Sequence, residues 1–159
     1  MPVLNKSWYS SEKGYWETPI WLFEILDSFY YFDCDVAASK SNTLCKKYFS
    51  LENSCLDNVW YQMNFMNPPY GSEIKSFIIK AHEEYFLRNN VTIALLPART
   101  DTKWFHNYIY NKTEILFIRN RLKYKIDGKG EKDAPFPSMV VGWGAKKQDF
   151  IYLERLINE

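Results

Sequence analysis

Apolar runs and polar breaks along the chain predict most of its elements. Residues 1–14 are largely polar and read as irregular. Thr18 and Pro19 then precede the apolar run Ile20, Trp21, Leu22, Phe23, Ile25 and Leu26. Threonine is a good helix cap and proline suits a first helical position, so the pair predicts a helix over residues 20–26, capped by Thr18. Its apolar residues nearly encircle it, which predicts deep burial. Residues 30–39 read as a strand ending in Asp35 and then the small residues Ala37, Ala38 and Ser39, as the first strand of an α/β sheet does when it delivers a ligand-binding turn.

Residues 40–60 are mostly polar, with 46–49 as a short strand. A hydrophobic run over 62–66 leads into Asn67, Pro68, Pro69 and Tyr70. The stripe Ile74, Phe77, Ile78, Ala81 and Tyr85 predicts a helix over 74–86, which Asn89 and Asn90 end. Residues 91–96 are continuous, β-branched and apolar, as expected of a parallel strand covered on both faces. Asp101 or Thr102 is placed to cap a short helix, and residues 114–118 form another strand. Residues 121–126 alternate, Asp127 and Gly128 signal a hairpin turn, and 138–143 are expected to supply its returning strand. Residues 148–159 suit a short helix. Strands alternating with helices, then a terminal antiparallel pair, predict a three-layer α/β sandwich with a mostly parallel sheet in one compact domain, 1–159.

Composition narrows the function classes. Twelve Tyr, eleven Phe and six Trp exceed what a core of this size needs, so some rings are expected at a pocket or surface. A formal net charge of +1 supplies no global basic field, and any nucleic-acid contact needs a local patch. Three cysteines without a C-x-x-C pair and two histidines make neither a zinc site nor a disulfide framework, and a reducing cytoplasm fits them. No apolar run reaches transmembrane length, so no membrane association is expected. His82 and His106 read as ordinary helix residues.

The stretch with the clearest chemistry is Asn67-Pro68-Pro69-Tyr70. Two prolines give a stiff loop that can neither extend a ladder nor enter a helix. It holds the Asn67 side-chain carbonyl and the Pro68 main-chain carbonyl at set positions, and an aromatic face follows. Two acceptors and a ring suit a planar molecule with an exocyclic amine. The turns after Asp35, Asn67 and Pro97 fall at strand ends and converge on one cleft if those strands are neighbours.

The ordered set Trp16-x-Thr18-Pro19, Phe32-Asp33-x-Asp35-x-Ala37-Ala38-Ser39, Leu56, Trp60, Asn67-Pro68-Pro69-Tyr70-Gly71, Leu95-Leu96-Pro97-Ala98-Arg99-x-Asp101, Arg119-x-Arg121 and Ala134-Pro135-Phe136-Pro137-Ser138 resembles the phage and prophage type of DNA adenine-N6 methyltransferase. The resemblance implies a Rossmann-like methyltransferase sheet, S-adenosylmethionine as cofactor, DNA as partner and residence in the bacterial cytoplasm. It assigns catalysis to Asn67, Pro68, Pro69 and Tyr70, with the target base flipped out to stack on Tyr70. It places the cofactor against Trp16, Thr18, Pro19, Asp35, Ala37 and Ser39, with Asp35 toward the methionine ammonium and Asn53, Leu56 or Asp57 toward the adenine. The usual glycine-rich turn is replaced by Ala37-Ala38-Ser39. Arg99 is a substrate-binding candidate, and Arg119, Arg121, Lys123 and Lys125 are expected to contact phosphates. Cytosine-N4 methylation, methylation of a glutamine side chain, and a non-catalytic DNA-binding or anti-restriction module are the alternatives. Target sequence and oligomeric state are not legible.

Overall fold

A computed structural model describes residues 16–126 and 128–159. The expected irregular segment 1–14 and Asp127 of the expected turn lie outside the described residues.

Among the described residues, six strands form the main sheet: β1 (Cys34–Asp35), β2 (Lys47–Tyr48), β3 (Met63–Met66), β4 (Val91–Pro97), β5 (Glu114–Phe117) and β8 (Ser138–Trp143), in the order β2-β1-β3-β4-β8-β5. Pairings from β2 through β4 are parallel, whereas β8 is antiparallel to both neighbours, so β8 alone reverses. The remaining strands, β6 (Lys123–Ile126) and β7 (Lys129–Asp133), make a separate two-stranded ribbon. The fold is mixed α/β with a mostly parallel sheet, as expected, but the hairpin partner differs. Residues 138–143 are fully buried and pair across six positions with β4. A strand apolar on both faces gains most from the centre of a sheet covered on both sides, and the polar 129–133 is left to pair with β6 at the surface.

Among the described residues, four helices cover the sheet: α1 (Ile20–Tyr30), α2 (Ile74–Arg88), α3 (Lys103–Tyr108) and α4 (Lys147–Asn158). α1 packs with α4, and α2 with α3. Two consecutive residues of β8 show that these pairs take opposite faces. The Trp143 indole donates to Tyr108 O at the end of α3 (3.1 Å), whereas a side chain at Gly142 would run into Phe150 of α4. Adjacent strand residues point to opposite faces, so the sheet is the middle of three layers.

Local chemistry sets the boundaries. α1 runs four residues past its expected end because Tyr30 continues the buried face of Leu22, Phe23 and Leu26. It stops where Tyr31 turns left-handed and Asp27 Oδ1 accepts from Phe32 N (2.9 Å). The expected strand over 30–39 therefore shrinks to Cys34–Asp35, although Val36 N still donates to Phe65 O (2.9 Å). Thr18 does not cap α1: the N-cap is Pro19, with no side-chain cap bond. Thr102 does cap α3, its hydroxyl accepting from Phe105 N (3.3 Å), and Asn89 ends α2 in the left-handed conformation.

Candidate active site

β1, β3 and β4 are neighbours, so their C-terminal turns lie side by side, which is where open parallel sheets bind ligands. A cavity of about 310 Å³ opens there, within the range of small-molecule pockets. Asp35 and Ala37 come from the end of β1 and the turn after it, Phe65 and Asn67 from β3 and its exit, and Glu17, Thr18 and Ile20 from the start of α1 and the chain entering it. Ser41 through Leu44, and Lys125 and Gly128 of the ribbon, complete the lining.

Asn67 is 3 % exposed and tightly oriented. Its Nδ2 donates to Trp16 O (2.6 Å) and to Thr18 Oγ1 (2.9 Å). A main-chain carbonyl only accepts, so the amide must turn its NH₂ toward Trp16. Oδ1 is left buried with no partner among the described residues. Such an acceptor costs about 1–3 kcal/mol when nothing donates to it, and a group held in that state calls for an external donor. The Thr18 hydroxyl, expected to cap a helix, is instead spent on fixing this amide.

Asp35 supplies the second feature. Its carboxylate is 4 % exposed, and burial pushes its pKa up to about 6 against the opposing hydrogen bonds from Leu44 N to Oδ2 (3.2 Å) and Ala37 N to Oδ1 (3.4 Å). Neither bond brings a compensating cation, and Asp35 is in no ion pair among the described residues. A buried carboxylate at a cavity wall suits a cationic ligand group.

The loop beyond Asn67 is braced from β4. Pro68 and Pro69 are buried. The Tyr70 hydroxyl donates to Leu95 O (3.0 Å), and its ring meets Phe136 and Tyr124 edge-on at centroid distances of 5.4 and 6.4 Å. The half-buried Trp16 ring meets Phe136 and Tyr124 edge-on as well. Arg99 Nη1 donates to Tyr70 O (3.1 Å), so this arginine holds the loop in place.

The other expected site residues divide. Pro19 is buried as the N-cap of α1 and is not part of the lining. Ser39 lies one step outside, in an adjoining shallow depression that shares Ser41 with the cavity. The structure does not bring Asn53 or Leu56 to the lining: Asn53 is exposed and accepts from Asn58 Nδ2 (3.1 Å), and Leu56 sits in a short 3-10 turn. Arg119, Arg121 and Lys123 are exposed and outside it, whereas Lys125 is part of it. Glu17, Thr43, Leu44 and Gly128 line the cavity without having been legible in the sequence. Glu17 alone had a signal, adjacency to Thr18 and Pro19. Leu44 is drawn in by its main-chain bond to Asp35, nine residues away.

No three or more His, Cys, Asp or Glu side chains cluster to hold a metal among the described residues, and no described helix is long and apolar enough to cross a membrane. Residues 6–154 match the family model described as DNA N-6-adenine-methyltransferase (Dam). The chain is 32 % identical over 126 residues to a DNA N-6-adenine-methyltransferase of Haemophilus phage HP1 (strain HP1c1), a match covering 77 % of this chain and 72 % of that protein. It is 37 % identical over 116 residues to a DNA N-6-adenine-methyltransferase of Escherichia phage T1, covering 71 % of this chain and 48 % of that protein. With the match extending over nearly its whole length, the chain belongs to the DNA N-6-adenine-methyltransferase family and is an enzyme that methylates adenine N6 in DNA.

Proposed function

We propose that S-adenosylmethionine occupies the cavity at the ends of β1 and β3, on a Rossmann-like methyltransferase sheet, and that Asn67 receives the amine of a flipped-out adenine beside it. The observation that carries this reading is the buried, partnerless Oδ1 of an Asn67 amide whose NH₂ is already committed to Trp16 and Thr18. The donor fits the lining: Asp35 offers a buried carboxylate to an ammonium, and the small side chain of Ala37 lets the main chain approach.

When bound, the donor supplies an electrophilic methyl group on a sulfonium. The protein's part is positioning and charge stabilisation. The adenine amine is a weak nucleophile because its lone pair is delocalised into the ring. Accepting its two hydrogens at Asn67 Oδ1 and Pro68 O favours the pyramidal amine, leaves the lone pair facing the methyl group, and stabilises the positive charge developing on N6. No covalent enzyme intermediate is involved. Tyr70 is the stacking platform for the base, and Phe136, half-buried and edge-on to it, is the ring that the base displaces. Arg119, Arg121 and Lys123 are exposed beyond the cavity, where they can meet phosphates.

The test is to incubate the protein with methyl-labelled S-adenosylmethionine and unmethylated DNA, digest to nucleosides and analyse by mass spectrometry. Label in N6-methyldeoxyadenosine is expected. Label in N4-methyldeoxycytidine, or only in protein, would contradict the reading.

A further inference from the structure

The β6-β7 ribbon exposes Lys123, Lys125 and Lys132, and Lys123 and Lys125 read from the sequence as one set of phosphate contacts. The structure separates them. Along β6, Tyr124 is fully buried, so Lys123 and Lys125 project to its opposite side. Only Lys125 lines the cavity, together with Gly128 just beyond the strand.

Three observations hold Lys125 at that wall. Glu17 N donates to Lys125 O (2.9 Å), tying the ribbon to the segment that also orients Asn67. Glu17 Oε1 accepts from Gly128 N (3.1 Å), making a second tie three residues on. The ladder register with β7 shifts between Lys125 and Ile126. Irregularities of this kind re-aim side chains and are frequent beside active sites. Glu131 is the cross-strand neighbour of Lys125, yet the two form no ion pair among the described residues.

The charges around the cavity are then unequal in role. Glu17 and Asp35 are its acids and Lys125 its single cation among the described lining residues. Glu17 is engaged with Gly128, which leaves Asp35 for a cationic group and Lys125 for an anionic one. We propose that Lys125 is a methyl-donor ligand, pairing with the carboxylate of the donor's amino-acid end, and does not serve chiefly as a phosphate contact. This assignment rests on the cavity being the donor site. It makes the ribbon a wall of the donor pocket, selecting donors that carry a carboxylate, while Lys123, Arg121 and Arg119 remain for DNA.

Isothermal titration without DNA tests it, using S-adenosylmethionine and its decarboxylated form, alongside DNA binding across a salt series. In the unaltered protein the decarboxylated compound is expected to bind about tenfold more weakly, the effect of one charge-assisted hydrogen bond. Lys125→Gln should weaken S-adenosylmethionine by the same factor, erase the preference, and leave the salt slope of DNA binding unchanged. Lys125→Arg should restore both affinity and preference. Lys123→Gln should do the reverse of Lys125→Gln, leaving donor affinity intact and lowering the slope by about one. Equal donor affinity in Lys125→Gln and unaltered protein, with a slope lowered by about one, would overturn the proposal while leaving the donor cavity standing. Failure of the unaltered protein to bind either compound would overturn the cavity reading and this assignment with it.

Discussion

Replacing Asn67 with alanine should separate catalysis from stability in a way that few buried substitutions do. The Asn67 NH₂ makes two hydrogen bonds, to Trp16 O and Thr18 Oγ1, and losing them removes about 1 kcal/mol each. The same substitution deletes Oδ1, a buried acceptor with no donor, and relieves about 1–3 kcal/mol of desolvation cost. The two effects offset each other, so Asn67→Ala should lie within about 1 kcal/mol of the unaltered protein. For a domain of this size that is a midpoint change of roughly 2–4 °C or less. Turnover should behave quite differently. Removing one preorganised group that stabilises developing charge costs about 100- to 1,000-fold in rate. Thermal unfolding, paired with methyl transfer to unmethylated DNA at saturating donor, reads both quantities, and donor affinity should persist. A variant that unfolds more than about 10 °C lower while turning over within tenfold of normal would refute the reasoning and make Asn67 a structural amide.

Three further outcomes follow from particular residues. Burial pushes the Asp35 pKa up to about 6, and in the proposed donor complex an ammonium beside it favours the carboxylate, so donor binding should expel a proton below about pH 6 and affinity should fall up to tenfold per pH unit there. Titrations in buffers of different ionisation enthalpy would show this, and an affinity flat from pH 5 to 7 would contradict it. The sign for stability follows from the same pair of values. A folded pKa raised above the ordinary 3.8 makes a contribution that is fully present below that value and is lost as pH rises through about 6, a swing of about 3 kcal/mol. Asp35→Asn should abolish that drift in urea midpoints. Gly142→Ala would set a methyl group within 3 Å of the Phe150 ring and of Ala145 Cβ, and such overpacking should cost about 1–3 kcal/mol in urea denaturation, with α4 the element disturbed.

By itself the sequence determined the local elements whose physics is local: the amphipathic α2 from its apolar stripe, the continuous apolar β4, the stop at Asn89 and the break of the strand before Pro68 and Pro69. It also determined the order of the three turns, which border the candidate site once β1, β3 and β4 prove adjacent. Strand partnership was a different matter. Proximity in sequence favoured 138–143 as the partner of β6, but burial on both faces drew that segment into the sheet between β4 and β5. Thr18 likewise looked like a cap because only its helix was visible in the sequence. Its actual partner, Asn67, lies 49 positions along the chain. Part of the cavity's lining came from Glu17, Thr43, Leu44 and Gly128, residues with no functional motif of their own. Propensity and turn chemistry act within a few residues, whereas a lining is chosen by whichever backbones the packed sheet brings together, and only the tertiary structure decides that.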